Sequence, residues 1–315
     1  MVKSIGLIGV PSSMGAFAPG QEKAPRALRE AGLVQQLTRA GVAVVDYGDS
    51  VVRRWFPDPS RRAAQHASVV ANVAEETARR VSRAIEDKQT PVVLGGDCTI
   101  ELGTVAGFLR GNHRVGLIYF DLHPDLNVPD AVPDGALDWM GLAHLIGEEG
   151  ALAELCLTGS PVPMLRADDV VLLGYGPEDT TTFETGVIDR RGIRAIPVDA
   201  VAAMPQQAAT AALEALPSQV DHLLVHFDFD IVDFTDLPLS EERVRNRGLS
   251  FARAIQVLNV LAADERFAAL TVTEVNPDHG SEDGSTIEIF TAGLVNALLG
   301  YSVTKFGAAI DVDAR

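Results

Sequence analysis

Eight short apolar runs, separated by longer amphipathic stretches, set what this chain can fold into. They are Ile5–Val10, Val42–Asp46, Pro91–Leu94, Val115–Phe120, Val170–Leu173, Ile193–Val198, His222–Phe227 and Leu270–Val275. Most are nearly continuously apolar and rich in β-branched residues, as strands covered on both faces must be. Helical patterns lie between them at Ala24–Ala40, Arg61–Asp87, Thr99–Leu109, Leu142–Cys156, Glu178–Arg191, Gln206–Leu216, Ser250–Ala262 and Thr286–Leu299. This alternation predicts an α/β fold: a parallel sheet of about eight strands with helices on both sides. No fixed-period repeat and no Pro-, Gly- or Ser-rich linker divides residues 1–315, so one domain is expected. Two irregular segments, Asn127–Asp138 and Phe234–Gly248, exceed the usual loop length, and such loops are often functional.

Charge narrows the partners. The 43 acidic and 26 basic side chains leave a net charge of −17. A surface this acidic repels phosphate backbones and anionic lipid, so neither nucleic acid nor membrane is an expected partner. A small cationic substrate and metal ions are compatible with it. Two cysteines, Cys98 and Cys156, allow one bridge at most. No apolar run approaches the roughly 20 residues of a membrane span. The stretch Met1–Val10 reads as a first strand rather than a secretory leader, so a cytoplasmic location is expected.

In open parallel sheets, ligands bind beyond the carboxyl ends of the strands. Four runs end there in chemically loaded residues: Gly95-Gly96-Asp97-Cys98, Asp121-Leu122-His123-Pro124-Asp125, Asp228-Phe229-Asp230, and Glu274 before Asn276-Pro277. At strand spacing, residues two apart share a face, so Asp121, His123 and Asp125 can converge, as can Asp228 and Asp230. A lone Asp after a strand is most often a helix cap, and a lone His a satisfied polar residue. Capping alone is a poor account of three such motifs together. Buried unpaired charges cost several kcal/mol each, roughly, unless cations neutralise them. Four carboxylates and an imidazole exceed one ion's usual share and point to a two-metal site with bridging carboxylates.

With these motifs in this order, the sequence resembles the arginase/agmatinase (ureohydrolase) family. That family carries Gly-Gly-Asp-His, Asp-x-His-x-Asp, Asp-x-Asp and Glu-Val-Asn-Pro motifs, which stand here at Gly95–Cys98, Asp121–Asp125, Asp228–Asp230 and Glu274–Pro277. Pro25, Leu28 and Asp46–Asp49 are also similar, so the likeness spans nearly the whole chain. The resemblance implies a three-layer α/β/α fold, trimers or hexamers, and two divalent ions, with Mn²⁺ first among them. One ion would be held by Cys98, Asp121, Asp125 and Asp228, the other by Asp121, His123, Asp228 and Asp230. A hydroxide bridging the ions would attack a guanidinium carbon, oriented by Asp125, with Glu274 pairing with the guanidinium. The implied reaction is hydrolysis of a guanidino compound, arginine or a modified guanidine, to urea and an amine. Asn127 matches a carboxylate-contacting asparagine, and Asp179 an aspartate that meets the substrate's α-amino group.

Four positions depart from the family pattern, one of them Thr182, which stands where the family's Asp179-like residue has a glutamate neighbour. Cys98 replaces a histidine, and a thiolate favours Zn²⁺ or Fe²⁺ over Mn²⁺, with Ni²⁺ also open. In the stretch Asp134–Trp139, Asp134 stands where arginases carry a substrate-holding serine. Asp138 stands where they carry a proton-shuttling histidine, a task a carboxyl of raised pKa could take over. His144 is a rival shuttle, although a helix-surface histidine is its default reading. Trp139 reads either as a platform for a cation or as a core anchor. Two alternatives stay open. A formimidoylglutamase-type C–N hydrolase would use Arg243, Arg245 or Arg247 to meet a second carboxylate. A metal-poor homologue would serve as a binding or regulatory subunit.

Overall fold

The computed structural model describes residues 4–155 and 160–300. All eight apolar runs form strands, within a few residues of the expected limits. In chain order the elements are β1 (Ser4–Gly9), α1 (Ala24–Glu30), α2 (Leu33–Arg39), β2 (Ala43–Asp49), α3 (Ala67–Glu86) and β3 (Thr90–Leu94). There follow α4 (Glu101–Leu109), β4 (Val115–Phe120), α5 (Gly141–Leu145), β5 (Val170–Tyr175), α6 (Thr182–Arg191) and β6 (Arg194–Pro197). The chain continues with α7 (Val198–Ala203), α8 (Pro205–Ala215), β7 (His222–Asp228), α9 (Phe251–Ala263), β8 (Phe267–Thr273) and α10 (Ser285–Leu299).

The strands make one parallel sheet in the order β2-β1-β3-β8-β7-β4-β5-β6. Side chains alternate across it. Leu7, Leu94, Phe120 and Phe227 face α1, α2 and α7–α10. Ile8, Val93, Tyr119 and Leu224 face α3–α6. The result is the expected three-layer α/β/α arrangement, with a core on each side of the sheet. Each fully buried Leu or Phe contributes about 1.5–3 kcal/mol of gross burial energy, so both faces of the sheet favour being covered by helices.

The helices depart more from the pattern. Ala24–Ala40 breaks into α1 and α2 because Gly32 adopts a left-handed backbone, φ 86°. Leu142–Cys156 shrinks to the five residues of α5, which a left-handed turn at Gly147 follows; Cys156 itself lies outside the described residues. The helix expected from Arg61 starts at Ala67. Among the described residues no helix is long and apolar enough to cross a membrane.

Four adjacent central strands, β3, β8, β7 and β4, point their carboxyl ends the same way, and these ends carry the four motifs. The turn after β3 presses against the end of β1. A Cβ on Gly96 would lie 1.5 Å from the Ser12 carbonyl oxygen, so only glycine fits this approach. The Asp97 amide donates to that same oxygen at 3.0 Å.

Candidate metal centre and active site

Strand register places the polar residues in rows. Tyr119 on β4 lies opposite His226 on β7, and His226 opposite Thr271 on β8. One step nearer the carboxyl ends, Asp228 lies opposite Thr273. Asp121 follows Tyr119 by two residues and so continues the same face.

Capping and convergence are both present. One oxygen of Asp121 accepts from the His123 amide at 2.6 Å, and one oxygen of Asp228 accepts from the Asp230 amide at 2.7 Å. The other oxygens are turned to the site. Asp228 Oδ2 accepts from the Cys98 thiol at 2.7 Å, while Asp121 Oδ2 and Asp230 Oδ1 are buried without any partner. His123 Nδ1 lies 2.7 Å from Asp230 Oδ2. Asp97, by contrast, is spent on capping: its carboxylate accepts from the Thr99 and Gly15 amides.

Two groups of donors are close enough together to hold an ion each. Cys98, Asp121, His226 and Asp228 form one; Asp121, His123 and Asp230 form the other. Asp121 belongs to both. Asp125 stands outside the two groups, with its Oδ2 accepting from the buried Tyr119 hydroxyl at 2.5 Å. Asp125 and Glu274 both have left-handed backbones, φ 52° and 57°. Such strain in non-glycine residues costs about 1–3 kcal/mol each and gathers at functional sites.

The electrostatics are those of a buried cluster of acidic groups. Burial pushes the carboxyls of Asp121, Asp125, Asp228 and Glu274 well above their ordinary range, and Asp228 adds repulsion at the other three. Burial and the adjacent Asp228 likewise raise the Cys98 thiol well above its usual value. Asp230 goes the other way: burial opposes its charge, but the His123 imidazolium holds it low. Burial also opposes charge on His123, yet Asp230 beside it raises its pKa well above the usual value.

Glu274 is held from two sides. One oxygen accepts from the Cys98 amide at 3.0 Å and the other from Gln21 Nε2 at 2.9 Å. Asn127 is fully buried; its Oδ1 accepts from the Thr181 hydroxyl and its Nδ2 has no partner. Asp179 is already paired with Arg247 at 2.8 Å. Asp138 is half-buried, raised well above the carboxylate range by burial and by Asp97, and within electrostatic reach of Asp125 and Glu274. Trp139 packs against the core between the sheet and α3–α6, which favours the anchor reading. Asp134 accepts from the Ala136 amide in the loop's own turn.

One reading needs correction. His144 is buried rather than on a helix surface. Its Nδ1 meets the Met140 carbonyl at 2.6 Å and its Nε2 accepts from the Leu152 amide at 3.0 Å. Burial lowers its pKa to about 4, so it stays neutral with both nitrogens engaged and is no shuttle. The sequence reading also passed over His226, Tyr119 and Gln21. Period-two spacing from Asp228 could have found His226; nothing local points to Gln21, which lies far from Glu274 along the chain.

Comparison with known proteins gives the family. Residues 3–300 match the Arginase family, and the chain belongs to it. It is 29% identical over 296 residues to arginase from Staphylococcus aureus strain MRSA252, covering 89% of this chain and 92% of that one. Against arginase from Bacillus subtilis strain 168 it is 29% identical over 302 residues, covering 95% and 99%. The solved structure of arginase from Bacillus cereus superposes with a TM-score of 0.83 at 28% identity, over 96% of this chain and 100% of that one. The enzyme class expected from the motifs, a hydrolase of linear amidine C–N bonds, is that of this family. A formimidoylglutamase from Bacillus subtilis shares the fold, with a TM-score of 0.73 at 18% identity.

Proposed function

We propose that the protein is a dinuclear-metal amidinohydrolase that cleaves a guanidino cation to urea and an amine. The observation that carries this reading is the pair of orphaned buried oxygens, Asp121 Oδ2 and Asp230 Oδ1, inside two overlapping groups of metal donors. Buried acceptors without partners are costly, and a cation satisfies them. Cys98, Asp121 and Asp228 would hold one divalent ion; Asp121, His123 and Asp230 would hold the other. Mn²⁺ is the ion the resemblance implies, and the Cys98 sulfur widens the choice to Zn²⁺, Fe²⁺ or Ni²⁺. Such ions lower the pKa of water towards neutrality and stabilise charge developing on the substrate.

The chain's own residues supply the rest. Glu274 is a buried acceptor presented at the site, where a planar guanidinium would replace the neighbours that now share its charge. Asp125, anchored by Tyr119, is placed to orient the attacking water. Asp138, whose carboxyl is raised above the carboxylate range by burial and by Asp97, is the proton donor to the leaving amine in this reading. Asn127 offers a free amide N–H to a substrate carboxylate, and Asp179 a carboxylate to an amino group if Arg247 yields it. Each of the three cations that the formimino alternative would call on already has a neighbour in this structure. Arg247 is bound to Asp179, Arg243 to His279, and Arg245 covers the Phe234 ring.

The test is urea release from a panel of guanidino compounds after loading with Mn²⁺, Zn²⁺, Fe²⁺ or Ni²⁺. Release with at least one ion, abolished by chelator, is expected. Silence across every ion and substrate would contradict the reading.

A further inference from the structure

We infer that His226 is a ligand of the buried ion, making that position a Cys98–His226–Asp121–Asp228 site for a borderline divalent cation such as Zn²⁺, Co²⁺ or Fe²⁺. The inference rests on the two-metal reading above and adds a residue and a metal class to it.

Three observations carry it. First, one ring nitrogen of His226 lies within 4.8 Å of donor atoms of Cys98, Asp121 and Asp228, all mutually that close. The Thr273 hydroxyl sits 3.3 Å from both Cys98 Sγ and His226 Nε2, which puts Nε2 on the site side of the ring. Second, the opposite nitrogen, Nδ1, faces the Glu101 carboxylate at 3.3 Å. A carboxylate accepts and does not donate, so it places the hydrogen on Nδ1 and leaves Nε2 as an acceptor, which the Thr273 hydroxyl now meets at 3.3 Å. Carboxylate, imidazole and metal in this order is how proteins orient a ligating histidine. Third, the pair is expensive to keep for packing alone. His226 is 0% and Glu101 1% exposed, and Glu101 Oε1 has no partner. Apolar residues of similar volume would fill the space at no such cost.

The ring is also held rigidly. It stacks on Tyr119 with centroids 4.0 Å apart and planes 5° from parallel. The Tyr119 hydroxyl reaches Asp125, so one aromatic pair ties the ion's back wall to the residue that orients water. The imidazole missing from position 98 is thereby offered from position 226, one row deeper on the same face. A sulfur, a nitrogen and two oxygens form a donor set suited to four-coordinate Zn²⁺ or its neighbours better than to Mn²⁺. Loading would release the Cys98 thiol proton to solvent and free the Asp228 oxygen that now accepts it.

Crystals of the wild-type protein soaked in Zn²⁺ and measured at the zinc edge test this directly. The expected result is an anomalous peak bonded to both Cys98 Sγ and His226 Nε2, at about 2.3 and 2.0–2.1 Å. In solution, Co²⁺ titration should show a thiolate-to-cobalt charge-transfer band. His226→Gln should weaken that binding step at least tenfold, and Glu101→Gln by about 10–100-fold. A peak on Asp121 and Asp228 with Nε2 still on Thr273 overturns this inference and leaves the two-metal reading standing. No peak among these residues at all overturns both.

Discussion

Asp228→Asn is expected to raise the melting temperature of the metal-free protein and to lower that of the metal-loaded protein. In the metal-free chain Asp228 is buried against Asp230, and its carboxyl pKa is raised well above the ordinary value. A group whose pKa is higher folded than unfolded stabilises fully below its unfolded pKa, and that contribution is lost as pH rises through the folded one. The metal-free wild type should therefore lose stability from about pH 4 upward, and the asparagine variant should lose less. With ions bound the logic inverts, because the carboxylate is then a ligand. The variant should lose an ion and fall in kcat/KM by more than the roughly 100-fold cost of removing a ligand's supporting partner. Calorimetric scans from pH 4 to 8, with chelator and with metal, read the two signs. The same sign in both series contradicts the role given to Asp228.

Glu274→Gln is expected to cut kcat/KM for a guanidino substrate by about 30–5,000-fold, the 2–5 kcal/mol typical of breaking a buried charge pair. Most of the loss should fall on KM if the carboxylate binds ground and transition states alike. The fold should survive. The new side-chain oxygen can still accept from the Cys98 amide. Gln21 can rotate its amide to present Oε1, which is buried without a partner in the native protein. Steady-state kinetics with metal analysis separates the effects: an unchanged ion count with a large kinetic loss is the predicted pattern. Kinetics within threefold of wild type would remove Glu274 from substrate binding.

The sheet was legible because its signal is local. Runs such as Val115–Phe120 are apolar throughout, and a strand buried on both faces needs nothing else to announce it. Helix limits were less legible where one backbone angle decides them, as at Gly32. The metal motifs were legible because Asp121, His123, Asp228 and Asp230 lie at short spacings just after strands. His226 was hidden by the same argument that found β7: inside an apolar run it reads as strand filler. Its period-two spacing from Asp228 is a weak signal, and the cross-strand register, which sets it beside Tyr119 and Thr271, gives it a chemical setting. Gln21 is recruited to Glu274 across 253 residues, a contact no local pattern encodes. The pattern Leu142–Cys156 predicts a longer helix with one face in water, which would expose His144. The helix is a single buried turn whose carbonyl and amide neighbours absorb the ring.

Equilibrium dialysis of the metal-free protein against Mn²⁺ and against Zn²⁺ tests the central claim most directly. Two ions per chain are predicted for wild type. Asp121→Ala should leave neither position saturable, because Asp121 alone belongs to both donor groups. Saturation at zero ions in wild type, or an unchanged count of two in Asp121→Ala, would contradict it.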